Sequence, residues 1–191
     1  MKEKTISTKL RKFIDKHKGI PLSDKDVVEL VDKKAKVVLY EDLHKYDNIN
    51  QVFGNYDAIF LMYQQSPTWG HWTCLLKRNK EKQYEFFDPL GVSIDEQLLW
   101  TEPEMRKQLN EDYPYLTKLL SETPDTWEII ENKTKFQKDA KDVNSCGRWC
   151  AARIVTRKYP LEAFRKYFDK KGKVNGDDMA TIITMLQMEN E

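Results

Sequence analysis

The sequence has few of the residues from which disulfide frameworks and metal clusters are built. Only three cysteines and three histidines occur among its 191 residues. An odd, small number of cysteines fits a reducing compartment and argues against a disulfide framework. Cys146 and Cys150 stand four positions apart, and no second pair has the spacing of a zinc site. A Cys-x-x-Cys redox motif is also missing.

Long apolar runs and a strong net charge are absent as well. No apolar run reaches the roughly 18 residues of a membrane span, and the basic N-terminus has no signal-peptide core. We therefore expect a protein that is neither secreted nor membrane-spanning. The net charge of +1 gives no global attraction to nucleic acid or membrane. Residues 1–18 are locally basic, which is typical of a solvated helix face and also allows an anion such as DNA to dock.

The order of the sequence patterns predicts a single α+β domain covering residues 1–191. A chain of this length can bury a sizeable core. The pattern is helical over residues 1–35 and strand-like over 36–135, and helices return over 146–189. Helices, then strands, then helices are typical of an α+β protein.

The middle of the chain holds the clearest strands. Three aromatic and β-branched runs are separated by turn-like breaks, at residues 56–65, 70–79 and 82–91. The second and third runs predict a hairpin across residues 79–82. Residues 102–122 predict a helix that is interrupted near Pro114, and residues 126–133 predict a further strand.

His71 is the histidine best placed for catalysis. His17 and His44 lie in charged stretches, where solvated side chains are expected. His71 opens a predicted strand between Trp69 and Trp72, whose indoles would shield the imidazole from water. Such shielding can tune the pKa of a histidine near neutrality. A histidine with a purely structural role is the alternative interpretation.

Asp88 is the carboxylate that the predicted hairpin would bring near His71. A hairpin places the beginning of one strand beside the end of the next, and Asp88 ends the third run. A carboxylate at this point can accept an imidazole N–H, fix the tautomer and stabilise the imidazolium. The alternative is a turn-forming residue before Pro89.

Cys146 stands at the beginning of the last helical block, directly before Gly147. A helix N-terminus carries partial positive charge and free N–H groups, which lower the pKa of a thiol and favour the reactive thiolate. Gly147 permits a tight turn and the close approach of a substrate. Cys150 lies one turn further along and is expected, like Cys74, to be a small core residue.

A nucleophile that attacks an acyl group also needs donors for the oxyanion. The backbone N–H of Cys146 is one candidate, and the side-chain amide of Gln137 is a second. Asn132 and Asn144 are the other amides near this stretch. A glutamine in a lysine-rich loop does not by itself indicate an oxyanion donor. The interpretation of Gln137 therefore depends on its place in the order His71, Asp88, Gln137 and Cys146.

The four residues His71, Asp88, Gln137 and Cys146, in this order along the chain, resemble the site of the adenain-like cysteine peptidases. That family also holds the SUMO-specific proteases. The segments "GHW", "FFDPLG" and "NSCGRWC" carry the resemblance, which spans residues 56–157. "NSCGRWCAARI" resembles the viral members of the family most, such as adenovirus-type and virophage or Polinton-like maturation proteases. Ser-Cys-Gly stands here in place of the Asp-Cys-Gly frequent in the SUMO-protease branch.

The resemblance implies a fold and a set of roles. The fold would be an α+β peptidase fold with a mixed central sheet flanked by helices. The implied roles are Cys146 as nucleophile, His71 as general base, Asp88 as orienting carboxylate, Gln137 as oxyanion donor, and Trp69 and Trp72 at the substrate cleft.

The implied function is a cysteine endopeptidase that cleaves viral capsid precursors during virion maturation. The alternative within enzymes is a protease that processes or deconjugates a ubiquitin-like modifier. A catalytically silent interaction module and a thiol oxidoreductase are the alternatives from other classes. We expect a monomer with no metal or other cofactor, acting on a protein substrate in the virion or in the host-cell cytoplasm or virus factory. DNA or a peptide is a possible activator.

Overall fold

The computed structural model describes residues 7–138, 140, 143–169 and 175–188. The first six residues of the predicted basic segment, including Lys2 and Lys4, lie outside the described residues. So does Glu189, the last residue of the predicted C-terminal helical region. The architecture below therefore refers to the described ranges.

A five-stranded mixed sheet lies at the centre of the described chain. Its strands are neighbours in space in the order of the sequence: β1 (Lys36–Leu39), β2 (Ala58–Ser66), β3 (Trp69–Arg78), β4 (Gln83–Phe87) and β5 (Glu128–Glu131). Strands β2, β3 and β4 pair antiparallel, and β1 and β5 each pair in parallel with an inner strand. The predicted hairpin joins β3 to β4, with Cys74 opposite Phe87.

Helices cover both faces of this sheet, so the α+β fold with a mixed sheet flanked by helices is confirmed. Two 3₁₀ helices occupy residues 40–45 and 96–100. The α-helices in the described ranges are α1 (Thr8–Lys18), α2 (Asp24–Glu29), α3 (Ile49–Phe53), α4 (Pro103–Gln108), α5 (Tyr115–Ser121), α6 (Cys146–Val155), α7 (Leu161–Asp169) and α8 (Gly176–Met188). The predicted interruption at Pro114 separates α4 from α5. None of the helices in these ranges has both the length and the apolar character that crossing a membrane requires.

Two apolar clusters form because successive side chains of a strand point to opposite faces of the sheet. On β3, Cys74 and Leu76 belong to one cluster, together with buried residues of α2, α6, α7 and α8. Leu75, which lies between them, belongs to the other cluster, with residues of α3, α5 and the 40–45 helix. The sheet is therefore buried on both sides.

Helix α6 is the helix that positions the site. Eight of its ten residues, 147–154, are buried. Arg153 on this helix donates to both carboxylate oxygens of Glu85 on β4, from Nε at 2.6 Å and from Nη2 at 2.8 Å. Both side chains are 0% exposed. Because Cys146 begins α6 and Asp88 follows β4, this ion pair fixes two parts of the site relative to each other.

Candidate active site

A cleft of about 580 Å³ opens where β3 and α6 begin. Its walls come from the beginning of β3, the loop after β4, the 96–100 helix and the segment before α6. Five of the six residues predicted from the sequence line it: Trp69, His71, Trp72, Gln137 and Cys146. The sixth, Asp88, is 0% exposed and lies behind His71.

His71 and Asp88 are brought together by the β3–β4 hairpin. Nε2 of His71 lies 3.0 Å from Oδ1 of Asp88, and the imidazole is only 6% exposed. Asp88 is the first residue after β4. Residue 70, directly before the histidine, has no room for a side chain, because a Cβ there would lie 2.3 Å from the carbonyl oxygen of Tyr63. The glycine of "GHW" is thus required by the close approach of β2.

Cys146 and His71 line the same cleft, and each side chain shifts the pKa of the other. Burial acts to lower the pKa of His71, but the interactions with Asp88 and Cys146 outweigh it and raise this pKa to about 10. Burial acts to raise the pKa of Cys146, but His71 and the backbone N–H groups of Trp72 and Gly147 lower it overall. The two opposite shifts favour a thiolate–imidazolium pair.

The other two cysteines lie beneath the cleft in the core. Cys74 and Cys150 are both 0% exposed, whereas Cys146 is partly exposed. Sγ of Cys150 lies 3.4 Å from the carbonyl oxygen of Trp72. Burial raises the pKa of Cys150 well above its ordinary value. The predicted core role therefore agrees with where these two thiols lie.

Gln137 lies on the same cleft as Cys146, in the segment before α6. Its backbone N–H donates to the carbonyl oxygen of Pro89 at 2.9 Å, which fixes the main chain. Its side chain is held loosely, since Nε2 lies 3.5 Å from the carbonyl oxygen of Val143. Within the described ranges, Oε1 of Gln137 is buried without a hydrogen-bond partner. The amide thus has capacity for a further bond.

The two other amides that the sequence offered as oxyanion donors bond elsewhere. Asn132 holds the backbone of Asp88: its Oδ1 accepts the Asp88 N–H at 2.7 Å, and its Nδ2 donates to the Asp88 carbonyl at 2.8 Å. Asn144 lines the cleft, but its Nδ2 donates to the carbonyl of Gly19 at 2.9 Å. Asn132 supports the carboxylate, and Asn144 ties the cleft wall to the end of α1.

The tryptophans around His71 differ in exposure. Trp69 is 48% exposed at the rim of the cleft, whereas Trp72 is 2% exposed. The indole N–H of Trp72 donates to the carbonyl of Leu22 at 3.0 Å, so Trp72 forms a fixed wall. Trp100 was not singled out from the sequence. Its ring packs edge-on against His71, with 5.3 Å between the ring centroids.

Two further contacts to Asp88 were not predicted. The backbone N–H of Leu90 donates to Oδ1 at 2.6 Å, and Nε2 of Gln97 donates to Oδ2. Gln97 is 2% exposed. The contact with Leu90 is a local turn, which an Asp before Pro89 favours. The contact with Gln97 has no local signal in the sequence, because it depends on how the loop after β4 folds back over its strand.

Asp177 on α8 fixes the beginning of α6. Its Oδ1 accepts the hydroxyl of Ser145 at 2.6 Å and the indole N–H of Trp149 at 2.8 Å. Its Oδ2 accepts the backbone N–H of Lys138 at 3.0 Å. Ser145 therefore bonds across to α8, although its residue type suited a cap of α6. One carboxylate thus joins Lys138, before α6, to Ser145 and Trp149 on either side of Cys146.

Comparison with solved structures assigns the fold. The structure aligns with the ASFV pS273R protease at a TM-score of 0.53 and 13% identity, covering 88% of this chain and 68% of that chain. It also aligns with the SUMO protease Ulp1 at a TM-score of 0.47 and 13% identity, over 97% and 96% of the two chains. The second likeness is too weak to support an argument. The fold is therefore the α+β fold of the ASFV pS273R protease, with a mixed sheet flanked by helices.

Sequence comparison then gives the family. No protein-family model matches the chain. The chain is 37% identical over 172 residues to the "Uncharacterized protein V9" of Sputnik virophage, covering 88% of this chain and 97% of the relative. Identity at this level over nearly all of both proteins shows common descent. The chain belongs to the same family as the Sputnik virophage protein V9.

Proposed function

We propose that the protein is a cysteine endopeptidase with Cys146 as its nucleophile. The observation that carries the proposal is that Cys146 and His71 line one open cleft, with Nε2 of His71 hydrogen-bonded to the buried Asp88 behind it. A thiol, an imidazole and a carboxylate in this order can generate a nucleophile and then move its proton. The peptidase fold supports the same conclusion.

The proposed reaction starts from the thiolate–imidazolium pair and uses His71 twice, first as an acid and then as a base. The Cys146 thiolate attacks the carbonyl carbon of the scissile peptide, and a tetrahedral oxyanion forms. His71 gives its proton to the leaving amine as the C–N bond breaks, which leaves a thioester on Cys146. His71 then removes a proton from water, the water attacks the thioester, and the acid product leaves. In both steps Asp88 would stabilise the charged imidazole and hold its tautomer.

Gln137 is proposed as the side-chain donor to the oxyanion, together with the backbone N–H of Cys146. The 3.5 Å contact of Nε2 with the Val143 carbonyl is long for a hydrogen bond, so little is lost when the amide turns toward substrate. Catalytic hydrogen bonds are often long in a free enzyme and tighten in the transition state. The loose side chain of Gln137 suits such a role.

We propose a viral capsid precursor as the substrate, cleaved during virion maturation in the virion or the virus factory. Trp69 and Trp100, 48% and 42% exposed, give the cleft apolar walls that suit an extended polypeptide. Family membership with a virophage protein supports a viral role. The alternative is a processing or deconjugating protease for a ubiquitin-like modifier.

Activation by DNA or a peptide stays a secondary proposal. In the described part of the basic segment, Arg11 and Lys18 both pair with Asp178, whose side chain is 0% exposed. These two cations help to attach α1 to α8. Lys9, Lys12 and Lys16 are exposed and are the cations on α1 that an anionic activator would contact.

Co-expression with capsid proteins of the same virus tests the proposed function. The wild-type protein should produce new N-termini in one of them, found by mass spectrometry, and Cys146→Ala should not. A fusion that carries a ubiquitin-like modifier with a Gly-Gly end should stay intact. Cleavage of that fusion, with the capsid proteins untouched, would favour the alternative. Equal cleavage by wild type and Cys146→Ala would contradict a cysteine nucleophile.

A further inference from the structure

The Asp88 carboxylate is held by more than His71. Oδ1 faces both Nε2 of His71 at 3.0 Å and the N–H of Leu90 at 2.6 Å. Oδ2 accepts the N–H of Gln97, its one side-chain donor among the described residues. A buried carboxylate that has no hydrogen bond at one of its oxygens can turn about its last bond. Gln97 opposes this rotation at the oxygen that does not face His71.

The amide of Gln97 can face Asp88 in only one orientation. A carboxylate oxygen accepts hydrogen bonds, so the amide nitrogen must point toward it and the amide oxygen away from it. In the described ranges, Oε1 of Gln97 accepts no bond although it is buried. Leaving a buried acceptor unpaired costs stability. Among the described residues, the bond to Asp88 is therefore the hydrogen bond that accounts for the orientation of this amide.

The 96–100 helix that carries Gln97 is anchored from its far side. Asp95, directly before this helix, has a left-handed backbone with φ of 64°. Its Oδ1 accepts the hydroxyls of Tyr40 and Tyr63 at 2.8 and 3.1 Å, and its Oδ2 accepts the N–H of Thr117 at 2.9 Å. Three elements thus hold one short helix in place. Gln97 is presented to Asp88 from a rigid support.

The same helix also contacts His71. Trp100 at its end packs edge-on against the imidazole, with an interplanar angle of 63°. We infer that Gln97 is a positioning residue for the site: its N–H keeps the Asp88 carboxylate turned toward His71, while Trp100 limits movement of the ring. This inference rests on the proposed function, and it adds a residue that does not touch the reacting atoms.

The test is the pH dependence of Cys146 alkylation by iodoacetamide, which needs no substrate. In Gln97→Leu, Oδ2 of Asp88 loses its side-chain donor and the carboxylate is free to turn, so it supports the imidazolium less. Alkylation at about pH 5.5 should fall about tenfold, the size expected when one hydrogen bond to a charged group is lost. Gln97→Glu should stay within about threefold of wild type at this pH, because the two adjacent carboxyls share a proton that can replace the amide N–H.

A partly buried hydrogen bond of Tyr84, a residue of the other apolar cluster, provides the control. The hydroxyl of Tyr84 donates to Asn50 at 2.8 Å, away from the cleft. Tyr84→Phe should change stability without moving the alkylation profile. If Gln97→Leu keeps the wild-type profile, or matches Gln97→Glu at every pH, the inference is wrong. If wild-type Cys146 reacts at about pH 5.5 no faster than an unfolded-chain thiol, the thiolate–imidazolium pair and the proposed function both fail.

Discussion

Replacing Glu85 by leucine should destabilise the protein far more than breaking any exposed ion pair. Arg153 and Glu85 are both 0% exposed and make two parallel hydrogen bonds. Besides Glu85, the guanidinium donates only to the carbonyl oxygens of Thr156 and Tyr159, at 3.3 and 3.0 Å, among the described residues. Glu85→Leu would therefore leave a buried cation with two neutral acceptors. Removing one partner of a buried pair costs about 3–5 kcal/mol.

That cost converts into a large change in melting temperature. For a domain of this size, 1 kcal/mol shifts Tm by about 2–4 °C, so Glu85→Leu should melt about 6–20 °C below wild type. The double variant Glu85→Leu/Arg153→Met has no unpaired charge and should recover most of the loss. Thermal and urea unfolding followed by circular dichroism measure four proteins: wild type, Glu85→Leu, Arg153→Met and the double variant. This double-mutant cycle gives the coupling energy.

An exposed pair on α7 provides the matched control. Glu162 and Arg165 are 56% and 39% exposed and lie three residues apart. Glu162→Gln should cost less than about 1 kcal/mol. If Glu85→Leu is no more costly than this control, or if the double variant is less stable than either single one, the ion pair does not hold α6 against β4 in the way described above.

Four further outcomes are expected. Asp88→Asn should keep the fold but lower kcat by about 10⁴ in a peptide-cleavage assay, because the tautomer of the histidine is no longer fixed; full activity would mean that another group orients it. Gln137→Ala should lower kcat by about 10² to 10³ with little change in KM, as for one oxyanion donor, and Gln137→Glu should be worse; steady-state kinetics that show no loss in either would move the role elsewhere. Cys150→Ala should retain activity and lose about 1–2 kcal/mol in urea unfolding, whereas a stable but inactive variant would argue for a paired-cysteine mechanism. Burial raises the pKa of Glu111 to about 8, so the free energy of unfolding should fall as the pH rises from the ordinary glutamate range to about 8; Glu111→Gln should remove this fall in urea titrations across pH, and a variant that keeps it would assign the titration to another group.

The parts of the fold that could be predicted are those that local pattern determines. Aromatic and β-branched runs with short breaks between them indicate neighbouring antiparallel strands, and β2, β3 and β4 pair in this way. Pro114 interrupts a helical stretch because it cannot continue the hydrogen bonding of a helix. The proximity of His71 and Asp88 follows from the same hairpin, since the pairing of consecutive strands needs no long-range information.

The parts that could not be predicted depend on contacts between distant segments. Strand β5 pairs in parallel with β4, and this pairing brings Asn132 to the backbone of Asp88 across 44 residues. Gln97 is an amide in a polar stretch and becomes recognisable only when the loop after β4 has folded. Trp72 lies at the cleft as expected, but its 2% exposure depends on packing beneath Leu22 and α6.

The deep burial of α6 has a consequence for how the protein loses activity. Cys146 begins a helix of which eight residues are buried, and His71 lies on a strand whose sheet is covered on both faces. Elements of this kind open only when most of the structure opens, and their amide hydrogens exchange most slowly. A folded population with a disassembled nucleophile site is therefore not expected. The fraction of molecules in which Cys146 reacts fast should equal the fraction folded at every urea concentration. Labelling of Cys146 would then measure the native population.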